Sequence, residues 1–303
     1  MDMETSRRGV LKCLGVGAGT LFTLNSGIFT ANALGQTSTA NAGIPLFLQI
    51  SDTHIGFNKD ANPDVIGTLN KTIDLVNAMP HQPAFLIHTG DVTHLSKAEQ
   101  FDTANQLLSR LQVGELHVVP GEHDVTDGPG TEFFARFGKA SDNRGYYSFD
   151  RAGVHFIALV NVMHFESGGL GALGADQMDW LKKDLAGRSA SQPIVVFAHM
   201  PLWTIYAPWG WGTTESAELA SLLKRFGSVT VLNGHIHQIV QKVEGNITFH
   251  TARSTAYPQP LAGVGPGPGP LKVATDMLPK MLGVTSVSVE RSSAFQLSDT
   301  TLA

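Results

Sequence analysis

Five short stretches set ionisable side chains at bends of the chain: Asp52 and His54 in SDTHIG, Asp91 in HTGDVTH, Glu122, His123 and Asp124 in PGEHDV, His199 in FAHMPL, and His235 with His237 in NGHIHQ. Each stretch alone is ordinary turn chemistry, because Gly, Asp and His collect at surface bends. As an ordered set they are carboxylates and imidazoles without a thiolate, which is the donor chemistry of Mn, Fe and Zn. A pair of ions sharing one carboxylate can be held by such a set only if the five stretches meet in space.

The elements around them supply a reason to meet. Residues 46–51, 84–89, 116–120, 194–198 and 229–233 are short β-rich apolar runs, and each of the five stretches begins where one run ends. Helical patterns lie between them at 63–79, 96–111, 174–187 and 214–226, with Pro63 and Ser96 read as helix starts. Strand and helix alternation predicts a layered α/β domain, and residues 146–160 read as a hairpin adding antiparallel strands. In open α/β sheets the carboxyl edge of the strands is where ligands bind, so residues far apart in sequence would share one crevice. Residues 257–271 form a Pro/Gly-rich connection without regular structure, followed by a helix and a last strand at 284–290.

The order DTH, GD, GEHD, H and GHIH resembles the calcineurin-like metallophosphoesterases, whose pattern is DxH, GD, GN-H-D/E, H and GHxH, over residues 46 to about 252. The spacing is most similar to the class III cyclic-nucleotide phosphodiesterase group. The resemblance implies a two-sheet αββα sandwich and two metal ions, divalent or mixed-valent. By it, Asp52, His54 and His237 bind the first ion, Glu122, His199 and His235 the second, and Asp91 bridges them. Two ions about 4 Å apart make a shared water acidic and clamp phosphoryl oxygens for in-line attack. His123 would protonate the leaving oxygen, and Asp124 would orient its ring.

Glu122 departs from the pattern, which has Asn there. Glu can still ligate, but it cannot donate a hydrogen bond to phosphate, and it adds a negative charge. Two divalent ions against Asp52, Asp91, Glu122 and a hydroxide leave no net charge, where an Asn site would keep one positive charge. This predicts tighter or higher-valent binding of the second ion, and less attraction for a dianionic monoester than for a monoanionic diester.

His94, His164 and the aromatic stretch 203–213 with Trp203, Trp209 and Trp211 are the candidates for substrate contact, the tryptophans by stacking on a base or capping an apolar group. His88, His117 and His155 lie within apolar strands and read as structural. The expected substrate is a small phosphate ester, with a diester favoured. A phosphomonoesterase using the same site, and a metal-binding interaction protein without turnover, are the other readings.

Composition narrows the partners. The chain has 303 residues, 16% charged, with a formal net charge of −5, so it lacks the basic stripe that a nucleic-acid polymer requires. The start, TSRRGVLKCLGVGAGTLFTL, reads as a leader too short and too weakly apolar to span a bilayer comfortably. Arg7 and Arg8 resemble a twin-arginine export signal, although Val10 stands where that signal prefers Phe. An ordinary secretory signal and a retained anchor are the alternatives. Residues 31–33 (Ala-Asn-Ala) offer a cleavage site, with 40–42 as a second. The expected organisation is a leader over 1–33, a main domain over 44–256, and an extension over 257–303 packed on that domain, in a periplasmic or secreted protein that meets the twin-arginine machinery. The single cysteine, Cys13, falls in the leader, so the exported chain has no thiol for a disulfide, a metal or a nucleophile.

Overall fold

The central strands are buried along their whole length, and their successive side chains point alternately into two apolar layers. The computed structural model describes residues 46–165, 169–289 and 295–303. The leader residues, including Arg7, Arg8, Cys13 and both cleavage candidates, lie outside these. The described elements are β1 (Phe47–Ile50), α1 (Val65–Asn77), β2 (Phe85–His88), α2 (Ala98–Leu108), β3 (Leu116–Val118), α3 (Thr131–Phe137), β4 (Tyr147–Arg151), β5 (Val154–Ala158), β6 (His164–Phe165), β7 (Gly171–Ala172), α4 (Ala175–Leu185), β8 (Ile194–Phe197), α5 (Ser216–Leu223), β9 (Val229–Asn233), β10 (Gln241–Glu244), β11 (Ile247–Thr251), α6 (Leu278–Met281), β12 (Gly283–Val289) and β13 (Phe295–Thr301). None of the described helices is long and apolar enough to cross a membrane.

One sheet runs β13-β12-β1-β2-β3 and the other β10-β11-β9-β8-β5-β4, with β6 and β7 forming a separate small hairpin. Phe47, Phe85 and Ile87 of the first sheet meet Phe156, Val195 and Phe197 of the second in a shared apolar layer. Their neighbours point the other way. Leu48, Ile50 and Leu86 pack with Leu69 and Ile73 of α1 and Phe101 and Leu108 of α2. Ile194, Val196 and Val231 pack with Leu181 of α4 and Leu219 and Leu223 of α5. The result is the αββα sandwich implied by the motifs, built as one domain. Each buried Leu or Phe contributes roughly 1.5–3 kcal/mol, so the layer between the sheets holds the two halves of the molecule together.

β1, β2 and β3 run parallel, as do β5, β8 and β9, and their carboxyl ends open on one edge of the sandwich. Just beneath that edge Gln49 ties the sheets together, donating from Nε2 to Thr89 Oγ1 at 3.0 Å and to the Asn233 carbonyl at 3.1 Å. The expected hairpin is β4 and β5, paired antiparallel. β12, near the C-terminus, pairs antiparallel with β1, so the extension shares the first sheet.

Local structure differs from the sequence reading at several places: β12 is not the last strand, because β13 follows and pairs with it, and β10 and β11 add to the second sheet. α1 is entered through Asp64, which accepts from the Gly67 N–H at 2.8 Å, one residue beyond Pro63. Ser96 does not cap α2. It sits at φ 52°, donates from Oγ to the His123 carbonyl at 2.8 Å and accepts from the Thr126 N–H at 2.9 Å, so it braces the 122–126 turn. α3 was not foreseen, because its seven residues are too few to show a helical period.

Candidate metal centre

The loops leaving β1, β2, β3, β8 and β9 bring the seven candidate ligands into one cluster. Asp52, His54 and His237 form one group and Glu122, His199 and His235 another, with the ligand atoms of each group within 4.8 Å of one another. Asp91 Oδ2 stands between the groups, 3.4 Å from His54 Nε2 and 3.5 Å from His199 Nε2. Its other oxygen is taken by the His123 main-chain N–H at 2.9 Å.

Turning this many side chains inward bends the backbone into an unusual conformation. Asp52, His54, Asp91, His235 and His237 all have positive φ, between 42° and 69°. Left-handed backbone costs a non-glycine residue of order 1–2 kcal/mol, and such residues cluster at functional sites where the surroundings enforce them. Close approach explains the neighbouring glycines. A Cβ on Gly90 would lie 2.6 Å from His199 Nδ1, and one on Gly121 would run into Asp91 Oδ1.

The donor atoms fit a cation. Glu122 Oε2 lies 2.7 Å from His199 Nε2, and Glu122 Oε1 lies 2.9 Å from His235 Nδ1. Yet Glu122 Oε2, His199 Nε2 and His235 Nδ1 are all buried without a hydrogen-bond partner. Buried polar atoms this close but misaligned with each other are arranged for a third partner. Two imidazoles and a carboxylate on each side of Asp91 suit Mn, Fe or Zn. Charge follows the same lines. Burial pushes the Glu122 carboxyl up, but the His235 and His199 charges outweigh it and hold it well below the carboxylate range. Burial and the His237, His123 and His94 charges hold the His54 pKa well below the imidazole range. Against burial, Asp91 and Glu122 raise His199 well above the imidazole range.

Residues 45–239 match the family model described as calcineurin-like phosphoesterase. The chain belongs to that family. The serine/threonine-protein phosphatase CPPED1 of Mus musculus is 27% identical over 63% of this chain and 69% of its own length. The 3′,5′-cyclic-nucleotide phosphodiesterase alr5338 of a Nostoc species is 25% identical over 72% of this chain and 81% of its own. A dimetal phosphatase from Danio rerio superposes with a TM-score of 0.64 at 14% identity, over 86% of this chain and 97% of that one, which supports the fold. Phosphatases and phosphodiesterases both align, so the chain is placed at the level of the family. It is a metal-dependent phosphoric ester hydrolase.

Around the centre of this phosphoesterase some candidates stand where expected and others do not. His123 is half-buried at the edge of the cluster, with ligand atoms of Asp91 and Glu122 within 4.8 Å. Burial lowers its pKa, but Asp91 and Glu122 outweigh that and raise it. Asp124 does not orient its ring. The His123 Nδ1–H donates to the His94 carbonyl at 2.8 Å, while the buried Asp124 carboxylate accepts from the N–H groups of Val92 (2.9 Å), Thr93 (2.8 Å) and Gly121 (3.0 Å). Asp124 therefore fastens the Asp91 loop to the 121–124 turn, and burial with Asp91 nearby raises its carboxyl to about 7.

Trp203 and Trp211 are not substrate contacts. They are 5% and 1% exposed, inside the apolar cluster beneath α4 and α5. The stretch folds back on itself through the Ile205 N–H to Trp211 carbonyl bond at 2.8 Å, which turns both rings inward. Trp209 is half-buried and lies edge-on to Trp211, with centroids 5.1 Å apart. His164 is exposed on β6 and forms no hydrogen bond to the cluster among the described residues. His94 does reach the cluster, through His54 and His123.

Sequence reasoning passed over Thr89, Tyr257 and Gln259. His199 Nδ1 donates to the Thr89 carbonyl at 2.7 Å and His237 Nδ1 to the Tyr257 carbonyl at 2.6 Å. The Tyr257 ring stacks on His54 with centroids 4.8 Å apart, and Gln259 Nε2 donates to the His235 carbonyl at 2.9 Å. Main-chain acceptors carry no mark in side-chain identity. The YPQP stretch offered only an aromatic residue beside a Pro-rich turn as a signal.

Proposed function

We propose that this phosphoesterase is an exported enzyme that hydrolyses phosphodiesters, with cyclic nucleotides one candidate class. The observation supporting a diester is Glu122, whose two oxygens lie 2.7 and 2.9 Å from His199 and His235 at the second subsite. Asp52, Asp91 and Glu122 together offset three of the four positive charges two divalent ions would bring. Among the described residues none of the seven ligands pairs with Lys or Arg. A substrate carrying one negative charge suits such a centre better than one carrying two. The Nostoc relative named as a cyclic-nucleotide phosphodiesterase supports the same reading. Export rests on residues 7–33, whose Arg pair and weakly apolar run read as a twin-arginine leader.

The chain's own groups divide the work. Asp52, His54 and His237 would hold one ion and Glu122, His199 and His235 the other, with Asp91 Oδ2 shared. Paired ions supply an acidified water and a clamp on the phosphoryl oxygens. His199 and His237 keep their Nδ1 protons on main-chain carbonyls, which leaves Nε2 free to ligate. His123, tied at Nδ1 to the His94 carbonyl, keeps Nε2 for the leaving oxygen. As an oxygen derived from water bonds to phosphorus and the ester phosphorus–oxygen bond breaks, the departing oxygen takes the His123 proton, giving a monoester and a free hydroxyl group.

Rates on a bis-aryl phosphate and its mono-aryl counterpart, in full-length protein supplied with Mn or Zn, test this. The diester is expected to be the faster substrate, and His123→Ala to lose about 10²–10⁴-fold in rate with unchanged metal content. A faster monoester would favour the phosphomonoesterase, and bound metal without turnover the interaction protein.

A further inference from the structure

We infer that His94 is a positioning residue: it accepts the Nδ1 proton of His54, and so fixes which nitrogen His54 presents to the first subsite. This rests on the reading of His54 as a metal ligand.

A ligating imidazole needs one bare nitrogen facing the ion, and the proton on its other nitrogen needs an acceptor, which sets tautomer and ring direction. His199 and His237 use main-chain carbonyls, at 2.7 Å on Thr89 and 2.6 Å on Tyr257. Among the described residues His54 has no such carbonyl. Its Nε2 faces His237 Nε2 at 3.1 Å and Asp91 Oδ2 at 3.4 Å, and its Nδ1 faces His94 Nδ1 at 3.4 Å. Among the described residues that ring is the sole hydrogen-bond partner of His54 Nδ1. A neutral imidazole protonated at Nε2 offers a lone pair there. The bond is long, so on its own it is weak.

Packing makes up for its length. Tyr257 stacks on His54 with centroids 4.8 Å apart, and His123 meets it edge-on at 4.9 Å, so the plane of His54 is held from two sides. His94 is held in turn by stacking on His123 at 4.7 Å and by Phe57 edge-on at 5.2 Å. Its carbonyl takes the His123 Nδ1 proton at 2.8 Å. One residue thus fixes His54 through its side chain and His123 through its backbone. Only the first link can be removed by substitution.

Metal titration of full-length wild type and three variants tests the inference, with calorimetry and metal analysis after dialysis as readouts. His94→Ala removes both acceptor and ring. His94→Phe keeps a ring without an acceptor. His94→Asn keeps an acceptor oxygen. Wild type is expected to bind two equivalents of Zn. The Ala and Phe variants should lose about 10–100-fold in affinity for one equivalent and leave the other unchanged, and Asn should recover most of that loss. Matching melting temperatures of the metal-free proteins would confirm that all fold. Wild-type affinity in His94→Phe would overturn the inference, as would an equal loss at both subsites. Wild type that binds no pair of ions would remove the ligand reading itself, an outcome distinct from either.

Discussion

Glu122 is the residue at which this centre departs most from its family pattern, and its consequence is electrostatic. With Asn at that position the second subsite would hold its ion with two imidazoles, a neutral amide oxygen and the shared Asp91. With Glu122 it gains a full carboxylate, so both subsites have two imidazoles, one carboxylate and the shared Asp91. The two ions should therefore bind with similar strength. Glu122→Asn is expected to weaken one equivalent by at least about tenfold, ~1.4 kcal/mol, and to raise the monoester rate relative to the diester rate. Two-step titration and the paired aryl substrates measure both. Equal affinities in the two proteins would remove the charge argument.

At the scale of elements, the second sheet is held to α4 by a polar network remote from the ions. Buried His155 on β5 meets Asp150 Oδ1 at 3.0 Å through Nδ1 and Asp184 Oδ2 at 2.7 Å through Nε2, and Ser148 Oγ donates to Asp184 Oδ1 at 2.6 Å. β5 lies directly beside β8, which delivers His199. Asp184→Asn should cost about 1–3 kcal/mol at pH 7. Burial pushes the Asp184 carboxyl up, but the bonds from His155 and Ser148 outweigh it and the folded value is lowered. A lowered carboxylate stabilises fully above its unfolded value near pH 3.9 and loses that contribution as pH falls through the folded value. Wild type and variant should then converge in acid. Urea midpoints at pH 7 and about pH 3 read this out, and a gap that stays constant would mean that Asp184 acts by packing alone.

For the molecule as a whole, the centre is complete only when both sheets are. The first sheet supplies Asp52, His54, Asp91 and Glu122, and the second His199, His235 and His237. β1, which leads to Asp52, has β2 on one side and β12 from near the C-terminus on the other. Ions can be gripped only after nearly the whole chain has folded, which suits a route that carries folded proteins. Replacing Arg7 and Arg8 with Lys should therefore leave folded, metal-loaded protein in the cytoplasm of a host with the twin-arginine route. Cell fractionation shows where it goes, and undiminished export would rule that route out.

Much of the site was legible because its marks are local. Five apolar runs, each leading into a bend that carries Asp, His or Glu, announced strands whose carboxyl ends carry chemistry, and the motif order told which residues would meet. Apolar character and turn chemistry are properties of a few neighbouring residues, so the sequence by itself determined the positions of the five strands that lead into the site, the donor set and the charge anomaly at Glu122. Direction was decided elsewhere. Whether Trp203 and Trp211 face the ions or the core, whether Asp124 serves His123 or the Asp91 loop, and which carbonyl holds each imidazole depend on the fold-back at 205–211 and on Tyr257 arriving from far along the chain. Such contacts join segments with no local relation to each other, and only tertiary packing, working through positive-φ turns and main-chain acceptors that side-chain identity does not reveal, settles them.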